Sequence, residues 1–298
     1  MRKVLIGIAA FGLLLAACAE SSEETSSPSA SGSTAAECAK SVTTYVSSGV
    51  LTVGTDNPAY PPYFQGGNTA GTNWQINNPA TGKGFESAVA YAVAARMGFT
   101  ADQVQWVEVP FDQSYAPGKK SFDFDINQIS YKPIRAKAVA FSESYYNENQ
   151  ALVAIKGAPI TQATSLAELK DYTLATQIGT TSYDYIVDVI QPDKEPGAYN
   201  KLVDSIQALK NRQVDGIVVD LPTAFYITAV QIPDGVIVGQ FPAAGGEQEY
   251  FGMVFQKGNP LVSCVNMALE ELKSDGELQA IQDRWLSSKV SVPVFATS

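Results

Sequence analysis

The chain reads as an α/β protein folded in two lobes. Three observations carry that reading. Short alternating or continuous apolar runs give way, repeatedly between Leu51 and Trp285, to segments whose apolar residues recur at helical spacing. The whole pattern restarts after Ser144-Tyr145-Tyr146, where a new strand opens at Ala151–Ile155. At 298 residues, with 45% hydrophobic and 17% charged residues, the chain can build one or two sizeable cores.

The run Phe122 to Ser142 organises the first lobe. Phe122, Phe124 and Ile126 alternate with Asp123, Asp125 and Asn127, which predicts a half-buried strand. Pro133 has no amide to extend a ladder, so the strand ends near Gln128–Ser130. Arg135 then falls just past the strand end, on the rim where open α/β sheets bind ligands. Its planar fork of donors suits a carboxylate. A calcium loop at Asp123-x-Asp125-x-Asn127 is not expected, because the glycine at position six and the terminal glutamate are missing.

The elements follow in order. Arg2 and Lys3 precede an apolar run, Val4–Ala16, too short for a mature membrane span, so residues 1–17 read as a signal peptide. The run ends Leu15-Ala16-Ala17-Cys18, which resembles a bacterial lipobox and implies lipid on Cys18. Residues 18–37 are then a Ser/Glu-rich tether, too poor in apolar residues to fold. Leu51–Asp56 is a strand, and prolines keep Asn57–Phe64 as a stiff aromatic loop. Gln65–Lys83, with Trp74, is either a lid or a surface excursion. Phe85, Ala88, Val89, Ala92, Val93 and Met97 mark an amphipathic helix ended by Gly98, and Val104–Val109 is the next strand.

In the second lobe, Ser165-Leu166-Ala167-Glu168 is a capping box for a short helix. Tyr172–Gln177 is a strand running into Gly179-Thr180-Thr181-Ser182, a turn that offers amides and hydroxyls to an anion. A helix continues through Tyr185, Ile186 and Val189, and another carries Leu202, Val203, Ile206 and Leu209. Val214–Leu221 is a buried strand with Asp220 at its carboxyl end, where a carboxylate needs a cationic partner or a helix to cap. Tyr250–Phe255 returns the chain to the first lobe, and two helices divided at Asp275-Gly276 complete it.

Composition excludes several functions. There is no histidine, which removes Ser-His-Asp triads, Cys-His pairs, HExxH zinc sites and histidine acid–base catalysis. A net charge of −10 argues against nucleic acid.

The polar Gln128-Ile129-Ser130, the arginine five residues on, Ala140-Phe141-Ser142-Glu143-Ser144-Tyr145-Tyr146, and the ending from Ala268 to Leu286 together resemble the family 3 extracellular solute-binding proteins. These are the amino-acid receptors of bacterial ABC importers. The resemblance spans nearly all of residues 45–288. It implies a type II periplasmic-binding-protein fold: residues 38–148 plus 247–290 in one lobe, 149–246 in the other, two hinge crossings, and a ligand cleft between. It also implies roles. Gln128, Ser130 and Arg135 would hold the ligand's α-carboxylate, with Thr180 and Thr181 gripping it from the second lobe. Asp220 would take the α-ammonium, Asp56 would reach the ligand side chain, Tyr60 would stack on it, and Phe111 would line the apolar side. Asp56, Asn57, Glu86 and Gln177 are polar candidates for reading the side chain, and a polar or basic amino acid is expected.

The implied protein is a monomer without cofactor or metal, held by its lipid outside the cytoplasmic membrane and handing ligand to a membrane permease. A dehydratase-type enzyme on the same fold and a ligand-sensing module are the alternatives. Once Cys18 carries lipid, Cys38 and Cys264 remain, and in an oxidising compartment they are expected to pair.

Overall fold

The computed structural model describes residues 34–246, 248–286 and 292–297. The expected signal segment and the lipid site Cys18 lie outside the described residues, as does the tether before Thr34. Ordered structure begins before Cys38. Thr34 and Glu37 form a reciprocal capping box at the start of helix α1 (Ala35–Ser41).

The first sheet takes β1 (Leu51–Thr55), β2 (Val104–Glu108), β3 (Phe124–Asp125) and β4 (Val139–Asn147). Between them lie α2 (Phe85–Arg96), α3 (Phe111–Ser114) and α4 (Pro133–Ala138). The second sheet takes β5 (Gln150–Ile155), β6 (Leu174–Gln177), β7 (Gly197–Tyr199), β8 (Gly216–Asp220) and β9 (Gly235–Gln240). Its helices are α5 (Thr181–Asp184), α6 (Leu202–Lys210) and α7 (Leu221–Tyr226). The chain then returns through β10 (Tyr250–Gln256) to the first sheet and closes with α8 (Leu261–Ser274) and α9 (Glu277–Leu286).

Both sheets share one plan. The first runs β2-β1-β3-β10-β4 and the second β7-β6-β8-β5-β9. In each, the first three strands pair in parallel, and the fourth runs antiparallel to both the third and the fifth. The parallel strands aim their carboxyl ends, and so the turns after them, at the space between the sheets. Residues 148–149 and the segment before Tyr250 carry the chain between the sheets.

Two expectations change. The alternating run at Phe122–Asn127 is buried on both faces, since β3 lies inside the sheet between β1 and β10. Asp123 is tolerated there because its carboxylate accepts from the amides of Val46 and Thr52 at 2.8 and 2.7 Å. The capping box at Ser165 opens a single 3-10 turn, Ala167–Leu169, instead of a helix. The Glu168 carboxylate still caps it, accepting from the amides of Thr164 and Ser165. The chain has no room to continue, because it must turn back within a few residues to enter β6.

Gln65–Lys83 is a surface excursion tied to the aromatic loop. The Asn57 amide donates to Asn73 O at 3.0 Å, Gln75 N donates to Asn57 Oδ1 at 3.1 Å, and Asn77 Nδ2 donates to Ala59 O at 2.9 Å. Trp74 packs against the core of the first lobe.

Residues 292–297 dock on the second sheet, which the sequence did not signal. Gln240 N donates to Pro293 O and Phe295 N donates back to Gln240 O, at 2.8 and 2.9 Å. The Phe295 ring stacks on Phe241 with centroids 5.0 Å apart, and a Cβ at Gly239 would meet its edge at 2.7 Å. Gly239→Ala should therefore cost about 1–3 kcal/mol by overpacking. The cost should vanish when Phe295 is also Ala, in a double-mutant cycle read by thermal unfolding.

Candidate functional site

A cavity of about 520 Å³ opens between the sheets. From the first lobe it is lined by Asp56, Tyr60, Phe111, Gln128, Ser130 and Arg135, and from the second by Thr180, Thr181 and Asp220. The fold thus brings together these nine ligand-contact candidates, with Asn57 and Gln177, but not Glu86. They come from five different strand-end segments, far apart in sequence.

Arg135 sits in α4, which starts at Pro133, a residue preset for the first helical turn. The side chain is 5% exposed. Its Nη1 donates to Ser130 O at 2.7 Å, and its Nη2 donates to Gly179 O in the opposite lobe at 2.8 Å. The guanidinium lies over the Tyr115 ring at 4.3 Å and near Phe111 at 5.5 Å. It is fixed in place with donors left over for a carboxylate. Tyr115 was not anticipated; only its position four residues after Phe111, on the same helical turn, could have signalled it.

Gln128 has a left-handed backbone, φ +46°, where the chain turns out of β3. Both its backbone N and its side-chain Nε2 donate to the Glu86 carboxylate, the latter very closely. Tyr145 Oη donates to Glu86 Oε1 at 2.5 Å. Glu86 is therefore fully buried and off the cavity, which corrects its assignment as a ligand-reading residue. Burial pushes its carboxyl up to about 7, against the pull of these three hydrogen bonds. Its role is to hold Gln128 in a strained turn.

In the second lobe, Thr180 caps α5. Its Oγ1 accepts from Tyr183 N at 3.1 Å and donates to Gln177 O at 2.7 Å. Thr181 is nearly buried, and its hydroxyl stands 3.3 Å from that of Ser130. Asp220 ends β8 and precedes Pro222, so its carboxylate faces the cavity with α7 starting behind it. Burial, and then the neighbouring Glu249, push its carboxyl up to about 7.

The cavity is also lined by Asp56, Glu108, Asp112 and Lys201, and the Lys201 charge acts on the Asp56 carboxyl. Asn57 N donates to Asp56 Oδ1 at 2.7 Å, and Asn57 Nδ2 donates to Glu108 Oε2 at 3.1 Å. Burial raises the Asp56 carboxyl above its usual range, and Glu108 adds to this. Sequence reasoning missed Glu108, Asp112 and Lys201. Glu108 had a signal, since it stands at the end of a parallel strand as Asp220 does.

The lobes touch at two further points besides the Arg135 contact. Lys132 pairs with Asp184, and Tyr63 Oη lies 3.1 Å from Thr223 Oγ1. Cys38, on α1, and Cys264, on α8, are disulfide-bonded within the first lobe.

Comparisons with known proteins agree with this architecture. The arginine-binding extracellular protein of Bacillus subtilis (strain 168) is 25% identical over 210 residues, covering 69% of this chain and 78% of its own. The L-cystine-binding protein of Escherichia coli (strain K12) is 28% identical over 254 residues, covering 82% and 85%. Among solved structures, an ancestral arginine-binding protein bound to arginine superposes with a TM-score of 0.65 and 28% identity, covering 80% of this chain and 99% of the other. Residues 51–288 match the bacterial extracellular solute-binding proteins, family 3, and the chain belongs to that family.

Proposed function

We propose that the protein is an amino-acid receptor of an ABC importer that captures a polar or basic amino acid as a zwitterion between its lobes. The observation that carries this is the pairing of opposite charges in one cavity: Arg135 on the first lobe and Asp220 on the second. In this reading Arg135, Ser130, Gln128 and the turn at Thr180–Thr181 hold the α-carboxylate, and Asp220 holds the α-ammonium. Neither lobe satisfies the ligand alone, so ligand favours the arrangement in which the lobes meet. Tyr60 and Phe111 flank the ligand's side chain. Besides Arg135 and Asp220, the carboxyls of Asp56, Glu108 and Asp112 outnumber Lys201 in the cavity lining, which supports a basic side chain, as do the arginine-binding relatives. The family places the folded part outside the cytoplasm. The lipobox-like Leu15–Cys18 supports a lipid anchor at Cys18 that keeps the receptor near its permease, acting as a monomer.

The test is the melting temperature of residues 34–298, oxidised, with each of the twenty amino acids in excess. A ligand at about a hundred times its dissociation constant adds about 2.7 kcal/mol. One amino acid, or a small basic set, should raise the melting temperature. No shift with any of them would overturn the zwitterion reading.

Affinity should also depend on pH. Asp220 can pair with an ammonium only when ionised, and its carboxyl titrates at about 7. Below that value the ligand must displace a proton. Affinity should therefore be roughly tenfold weaker at about pH 6 than at about pH 8, read by calorimetry.

A further inference from the structure

Behind the ammonium site, the two segments that cross between the lobes bring carboxyl groups together. Glu148 lies on the first crossing and Glu249 on the second, and Glu148 N donates to Glu249 O at 3.0 Å. The charges of both Asp220 and Glu249 act on the Glu148 carboxyl. One amide serves all three. Gln150 Nε2 stands 2.7 Å from Glu148 Oε1, 3.2 Å from Asp220 Oδ1, 3.3 Å from Glu249 Oε2 and 3.0 Å from Thr181 Oγ1. Ser182 Oγ donates to Gln150 Oε1 at 2.6 Å, which fixes the amide with its nitrogen towards the acids. That nitrogen has two hydrogens for four acceptors.

Glu148 is 1% exposed, and its Oε2 has no hydrogen-bond partner among the described residues if all three acids are ionised. Leaving a buried carboxylate oxygen unpaired beside two other acids is costly. A hydrogen on the Glu148 carboxyl lowers the cost, because it makes one of three crowded acids neutral and gives it a donor.

The geometry points to Glu148 as a proton-bearing hinge acid, a positioning residue whose single hydrogen serves the neighbouring acids and favours the ionised form of Asp220 for a ligand ammonium. The assignment of Asp220 to the ammonium rests on the function proposed above; the protonation of Glu148 does not. Burial first, and then the charges of Asp220 and Glu249, raise the Glu148 carboxyl well above its usual range. The other groups facing the cluster do not offset this. Tyr146 on β4 is a phenol, itself raised by burial and by Glu148. Tyr185 stands beside Glu249. The Arg135 charge acts on Asp220.

The test uses ligand-free protein, so it stands whether or not an amino acid binds. Glu148→Gln mimics the neutral acid. In the wild type, Glu148 is neutral when folded and ionised when unfolded above about pH 4. The wild type should therefore lose stability against the variant by about tenfold in the unfolding equilibrium per pH unit, until the folded group ionises. The gap in denaturant unfolding should widen steadily from about pH 5 to about pH 8. A flat gap, or a widening gap in Glu249→Gln instead, would overturn the proposal. Should Glu148→Gln not fold, carboxyl-carbon NMR of glutamate-labelled wild type decides. One glutamate held at the protonated position at about pH 8, where Glu86 has titrated, is expected; none would overturn the proposal.

Discussion

Arg135→Ala should weaken amino-acid binding by at least about a hundredfold. Removing one side of a buried, hydrogen-bonded charge pair typically costs about 2–5 kcal/mol, and each 1.4 kcal/mol is about tenfold in affinity. Two further losses act in the same direction. Arg135 Nη2 donates across the cleft to Gly179 O, so the variant also loses a contact between the lobes. The Tyr115 ring, which packs against the cavity-lining Phe111, loses the cation stacked on it at 4.3 Å. Arg135→Lys should rescue little, because an ammonium cannot replace a planar fork that bonds Ser130 O and Gly179 O at once. The measurement is calorimetric titration with the amino acid found by the melting screen, on variants that keep their unfolding transition. An affinity within about threefold of wild type would show that the carboxylate is held elsewhere.

The sequence disclosed most of this site because its residues stand at strand ends. Asp220 and Ser130 could be placed by the period of the strands that precede them, and Arg135 by its distance from the last alternating residue. Period tells which residue ends a strand, and topology then brings those ends to one cavity. What period cannot tell is how many neighbours a strand has. Asp123, Asp125 and Asn127 alternate as a solvated face would, yet β3 is flanked on both sides and covered on both faces. Asp125 has no partner for either oxygen among the described residues, and it fits only because a Cβ at Gly54 is missing from the same space. Glu86 misled for a related reason. A glutamate in the first turn of a helix suits the dipole and reads as exposed, but α2 enters beneath the Gln128 turn, which claims the carboxylate. The docking of residues 292–297 left no trace in the sequence, because the signal is a gap at Gly239 that one ring fills.

The disulfide gives the largest expected effect on stability. Cys38 and Cys264 close a loop with a sequence separation of 226, for which the chain-entropy relation gives about 5 kcal/mol. The folded state has its own reason to need the bond. Helix α1 is 7 residues long, too short to persist without tertiary support. Its other ties include the buried Ala35 and Ala39, the bond from Ala35 N to Glu271 Oε1 at 3.1 Å and that from Tyr45 Oη to Ala39 O at 2.9 Å. Cys38→Ala should therefore lower the unfolding free energy by about 5 kcal/mol. It should also expose the α1 segment to protease while leaving ligand affinity unchanged, because neither cysteine lines the cavity. Urea unfolding of oxidised wild type against the variant, with limited proteolysis, separates the two effects. Protease sensitivity with a loss under about 1 kcal/mol would mean that the unfolded chain is already compact around these ends, so that the bond acts only by pinning α1. A full loss without sensitivity would place the whole effect in the unfolded state and make the packing of α1 on α8 sufficient by itself.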